Sequence, residues 1–229
     1  MGRGGSKAGG GLPTLNPSGS GSGGGDFSPN TVGFKNIPNL RSAIGTKGRM
    51  MSMENAARGA NPNYNPAYGE FSENCQRCVV AYEMRRRGYD VTAQPSFKGD
   101  TMGETAFTSA NNKKFLRLTG AFQGAKTESV GATTSKKTLS NIKDTMSGYG
   151  DGSRAIMTFG WKRGNAGHAI NVELKNGKLH FNDAQVGGKY DGAKLMNAIK
   201  TKSVTLTRTD NLKVSERMKK SVEPSGRRK

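Results

Sequence analysis

The sequence predicts an α+β domain, with one cysteine-bearing helix set before a largely antiparallel sheet. Three observations predict it. The first strong periodic element, ENCQRCVVAYEMRRRG, reads as a helix that Gly88 stops from the C-cap side. Downstream, SRAIMTFGW, HAINVEL, KLHFND and SVTLTRT are rich in β-branched and aromatic residues, as strands are. The short KNG turn between HAINVEL and KLHFND makes that pair a hairpin. No glycine-rich phosphate loop of either standard spacing occurs, and helix-then-sheet order favours α+β over a Rossmann-like fold.

Taken in order, residues 1–26 are nearly all Gly, Ser, Pro and basic side chains, so they read as a flexible tail unable to bury enough apolar area to offset chain entropy. Residues 27–69 form an arm punctuated by Pro, Asn and Gly. A short helix is expected in it over Ser52–Ala60, with Ser52 as cap. The aromatic stretch NPNYNPAYGEF should pack on the domain. The domain proper is expected over 70–209. After the cysteine helix, with Cys78, Val79 and Tyr82 on one side, YDVTAQ reads as a short strand. Residues 96–134 carry no assignable pattern. SKKTLSNIKDTMSG places Leu139, Ile142 and Met146 at helical spacing, and DGAKLMNAIK reads as a helix before the closing strand SVTLTRT. Residues 210–229 are expected to be a basic C-terminal tail that frays.

Chemistry concentrates at a few positions. Cys75 lies where the chain enters its helix, and the free backbone N–H groups of a first turn favour a thiolate. Cys78, one turn further and followed by Val79, Val80 and Ala81, reads as a packing residue. His168 opens a strand after the small-residue loop GNAG, which leaves its ring reachable. The hairpin returns Asp183, with Asn182 beside it, to the far side of that ring, where an orienting group belongs. Gln185, two residues on, is placed to line the site. His180 sits within a strand and reads as structural.

NCQRCVVAYEMRRRGYDVTAQP, followed far downstream by GHAINVELKNGKLHFNDAQVGG, resembles the papain-fold toxin family of glutamine deamidases, related to papain-like peptidases. The pattern is an N-C-x-x-C helix start, a G-H strand start and a D-x-Q segment. Here these are Asn74–Cys75–Cys78, Gly167–His168 and Asp183–Gln185, within residues 70–209. The resemblance implies a papain-like fold with Cys75 as nucleophile, His168 as base and acid, and Asp183 orienting His168. A second registration makes Cys78 the nucleophile, because papain's active cysteine is the second of such a pair. Papain also completes its oxyanion hole with a glutamine upstream of the cysteine, and no glutamine precedes Cys75 here. The hole then falls to the backbone N–H of Cys75 or Gln76, with the Asn74 side chain as a further donor.

The resemblance implies a thiol amidohydrolase acting on a protein substrate: a glutamine deamidase in a toxin or phage-associated effector, or else a cysteine peptidase. A different reading comes from charge. The chain holds 36 Lys and Arg against 17 Asp and Glu, a formal +19, which draws it to nucleic acid or other polyanions and suits a virion protein with a degenerate papain-like domain. No zinc finger, recognition helix or aromatic RNA-binding strand is present, so such binding would be non-specific. A ribonuclease using His168 and His180 is a third reading. Two cysteines and two histidines at these spacings supply no zinc site, and no cofactor is expected. Without an 18-residue apolar run or a secretory signal, the chain is expected to be made in the cytoplasm and to leave it, if at all, in a phage particle or through a specialised delivery machine.

Overall fold

The computed structural model describes residues 44–96 and 120–226. The 1–26 tail, residues 27–43 of the arm, residues 97–119 and residues 227–229 lie outside the described residues. Helix α1 (Met53–Ala60) starts as the sequence indicates: the Ser52 hydroxyl accepts the Asn55 N–H at 3.1 Å. A single turn, α2 (Gly69–Ser72), leads into α3 (Cys75–Arg86). Gly88 follows α3 with φ +95°. A Cβ there would lie 2.4 Å from the Gly48 carbonyl oxygen, so this stop requires glycine on two grounds.

Every residue of α3 is buried, including Arg77, Glu83, Arg85 and Arg86. The sequence led us to expect one apolar side; instead the helix is enclosed all round. The charges are tolerated because each ion is paired or hydrogen-bonded. Glu83 accepts from Nε and Nη2 of Arg154, at 2.8 and 2.9 Å, and from Arg87 Nε at 2.6 Å. Arg86 forks onto Glu173 at 2.6 and 2.8 Å, and Tyr82 Oη donates to the same carboxylate at 2.7 Å.

Strand β1 (Val91–Ala93) follows, then β2 (Thr127–Ser129), helix α4 (Ser135–Tyr149) and strands β3 (Arg154–Gly160), β4 (Gly167–Lys175), β5 (Lys178–Asp183) and β6 (Gly188–Tyr190). Helix α5 (Gly192–Ala198), β7 (Thr205–Arg208) and β8 (Val222–Pro224) complete the order. Six strands form one antiparallel sheet, in the order β2-β7-β3-β4-β5-β6. The β4–β5 turn uses Asn176 and Gly177 at φ 51° and 69°, the left-handed pair that a two-residue hairpin demands. Side chains alternate across β4. Ala169 belongs to the core around α1 and α3, whereas Ile170, Val172 and Leu174 belong to the core under α4 and α5. The result is an α+β fold, with the cysteine helix packed on one face of an antiparallel sheet.

The C-terminal segment departs from expectation. Residues 212–224, assigned to a fraying basic tail, pack on the domain: Val214, Met218 and Val222 are buried in the α3 core. Strand β8 pairs with β1 in a second, two-stranded sheet. The Lys and Arg density of this segment masks three apolar side chains spaced four apart, enough to anchor it.

Candidate active site

The site lies where the start of α3 meets the start of β4. Asn74 precedes the helix, and its carbonyl accepts the N–H groups of Arg77 (2.9 Å) and Cys78 (3.1 Å). Cys75 is the first helical residue, so neither its N–H nor that of Gln76 has an acceptor earlier in the helix. The Cys75 thiol faces the His168 ring closely enough to raise the ring's pKa. Cys75 and Cys78 are both reduced and buried, at 6% and 0% exposure, but their partners differ. Cys78 Sγ lies 3.1 Å from Asn74 Oδ1, within the core.

The hairpin register sets the other half. Asn171 pairs with Asn182, so Asp183 comes next, two residues from His168 and on the same face of the sheet. His168 Nε2 stands 2.8 Å from Asp183 Oδ2. Asp183 is held further by Tyr190 Oη, donating to Oδ2 at 2.7 Å, and by the Gln185 N–H, donating to Oδ1 at 3.0 Å. Burial alone would lower the His168 pKa. The Asp183 carboxylate, with hydrogen bonds to Asp183 and Cys75, outweighs it and pushes the value up to about 10. Burial would raise Asp183, yet His168 and the bonds from His168, Tyr190 and Gln185 hold it below the ordinary carboxylate range. The stability that His168 gains is therefore fully present below the pKa of an unfolded histidine and lost as pH rises through about 10.

Aromatic rings enclose the imidazole. Trp161 stacks on His168, with centroids 5.7 Å apart and 26° between planes, and Phe159 meets it edge-on at 5.8 Å. On the Asp183 side, Tyr64 has its pKa raised by burial and then by the Asp183 charge. Tyr64 also lines an open surface depression with Asn63, Asn65, Tyr68, Glu70 and Phe71.

The structure thus brings together Cys75, His168, Asp183 and the Gln185 backbone. Gln76 is buried on α3. The Asn74 side chain, offered by the sequence as an oxyanion donor, is engaged elsewhere: its Nδ2 donates to Asn61 Oδ1 (3.3 Å) and to the Gln94 carbonyl (3.2 Å). His180 pairs with Glu173, five residues along β4 from His168. At ~3.4 Å per residue that is roughly 17 Å, too far for the two histidines to share one phosphate. Among the described residues no cluster of His, Cys, Asp and Glu could hold a metal ion. Tyr190, Trp161, Tyr64 and Asn61 were not found from the sequence. Trp161, the only tryptophan, stands one residue past the strand that pairs with Gly167, a signal that could have found it.

About half of the chain, residues 73–188, matches the sequence model of a family described as papain fold toxin 1, glutamine deamidase. No curated protein and no solved structure matches.

Proposed function

The chain belongs to the papain fold toxin 1, glutamine deamidase family, and on that premise we propose that Cys75, His168 and Asp183 convert a glutamine side chain of a protein substrate to glutamate. The observation that carries the proposal is the His168 ring held between the Cys75 thiol and the Asp183 carboxylate. Cys75 gives its proton to His168 and attacks the carboxamide carbon. The tetrahedral oxyanion is met by backbone N–H groups of the first turn of α3. As the intermediate collapses, His168 protonates the departing nitrogen, which leaves as ammonia. Water, deprotonated by His168, then attacks the thioester, releasing glutamate and restoring the thiol. Asp183 keeps the ring oriented throughout, and Trp161 covers one face of the His168 ring.

Incubation with glutamine-containing proteins should release ammonia and leave Gln-to-Glu mass shifts with the chain intact. Cleaved fragments without ammonia would instead mean a cysteine peptidase built from the same residues. The rate should fall on the alkaline side as His168 loses its proton near pH 10. Tyr190→Phe removes a hydrogen bond that draws charge from the Asp183 carboxylate, so that limb should move to higher pH. An unmoved limb would show that Tyr190 has no part in tuning the pair.

The toxin-family setting also supports delivery into a target cell, through a specialised export system or a phage particle. The +19 charge separately supports weak, salt-sensitive attraction to nucleic acid. Filter binding across a salt series should show affinity falling steeply with salt; sequence-selective, salt-insensitive binding would overturn this.

A further inference from the structure

We propose that Asn61, at the end of α1 and outside the stretch that matches the family, is a positioning residue that fixes the Cys75 half of the site against the Asp183 half. The inference rests on the proposed Cys75–His168–Asp183 chemistry. Asn61 is 5% exposed, and its side-chain amide makes contacts in three directions. Nδ2 donates to the Gln185 carbonyl at 2.9 Å and to the Phe71 carbonyl at 2.8 Å, and lies 3.3 Å from Asn74 Oδ1. Its Oδ1 accepts from Asn74 Nδ2 at 3.3 Å.

Each partner leads to one half of the site. Asn74 immediately precedes Cys75, and its carbonyl receives the first hydrogen bonds of α3. Gln185 donates its own N–H to Asp183 Oδ1 and its side-chain Nε2 to the Ser72 carbonyl, so the peptide on either side of it is already committed to the site. Phe71 and Ser72 form the turn that enters α3. The nucleophile and the orienting carboxylate are 108 positions apart in the sequence. One buried carboxamide, with donors and an acceptor fixed in a plane, ties both to the same point. Replacing it leaves two carbonyls and the Asn74 amide short of a partner, and lets the start of α3 shift against the β5–β6 connection. A shift of an ångström at the thiol costs far more in rate than in stability.

The test uses iodoacetate on the full chain, with the adduct on Cys75 followed by mass spectrometry across pH. An imidazolium beside the thiolate attracts this anion, so the wild-type rate should be bell-shaped, with its alkaline limb set by His168. Asn61→Ala, and the near-isosteric Asn61→Asp that cannot donate, should slow Cys75 alkylation on the order of tenfold to a hundredfold and move the alkaline limb down. Asn171→Ala is the control: Asn171 is also buried and its side chain donates to the Val79 carbonyl at 3.1 Å, a contact four residues along α3 from Cys75 that involves none of the Asn61 partners. It should lower the thermal midpoint and leave the pH limb in place. If the Asn61 variants lose stability as Asn171→Ala does while keeping the wild-type pH profile, the positioning role is overturned. If wild-type Cys75 reacts like a free thiol with no bell, the proposed Cys75–His168 chemistry fails first and the inference with it.

Discussion

Cys75→Ser is expected to abolish ammonia release, lowering the rate on the order of ten-thousandfold or more, because members of such a triad act as a unit. Cys78→Ala is expected to keep activity while lowering stability by roughly 1 to 2 kcal/mol, the cost of a small buried cavity. The two cysteines are one helical turn apart, so the contrast is a sharp one. Cys75 neighbours His168 closely enough to raise the ring's pKa, whereas Cys78 has its sulfur on Asn74 Oδ1 and no exposed surface. Limited alkylation near neutral pH, followed by peptide mapping, should place the first adduct on Cys75. His168→Ala should slow that labelling, since the imidazolium partner is lost. Should the adduct appear on Cys78 while Cys75→Ser stays active, the nucleophile lies one turn deeper in α3 and the geometry at its start has another purpose.

Much of this site was legible in the sequence because it depends on local rules. A turn of KNG fixes the hairpin register, and register alone carries Asp183 back to within a diagonal of His168. The stop of α3 at Gly88 follows from capping chemistry, whereas Asn74 makes no side-chain cap bond at its start. The remainder depends on contacts between distant segments. Tyr190 sits in a three-residue strand, GKY, with too few residues to show alternation. Asn61 reads as a loop residue among prolines and asparagines, and its role exists only once Asn74 and Gln185 converge on it. The burial of α3 was hidden by its own composition. Arg77, Glu83, Arg85 and Arg86 look like a solvated face until Arg154 and Glu173 arrive from β3 and β4 to pair with two of them.

That pairing sets the largest stability effect we expect. Glu83→Gln should destabilise the domain by about 3 to 5 kcal/mol, the cost of leaving buried charge without its partner. Glu83 is fully buried, and two guanidiniums converge on it: Arg154 forks onto both oxygens and Arg87 Nε reaches Oε1. Glutamine preserves the shape but removes the carboxylate charge from two cations whose side chains, Arg154 and Arg87, are only 7% and 8% exposed. Against a total of about 5 to 15 kcal/mol for a domain, such a loss shifts the urea midpoint far outside measurement error. The pH dependence gives a second reading. Burial would raise the Glu83 pKa, but Arg154 and Arg87 overcome it and bring the value down to about 2. A depressed carboxylate contributes stability that is present above its unfolded pKa and lost as pH falls through the folded one. Wild-type stability should therefore decline between about pH 4.5 and about pH 2, and the Gln variant should show a shallower decline over that window. Cys75 lies eight residues away on the same helix, about 12 Å by the helical rise, so the folded fraction of the variant should still alkylate at Cys75 at the wild-type rate. A midpoint unchanged within about 0.5 kcal/mol would mean that water or local rearrangement compensates the two arginines, and that α3 is held by apolar packing alone.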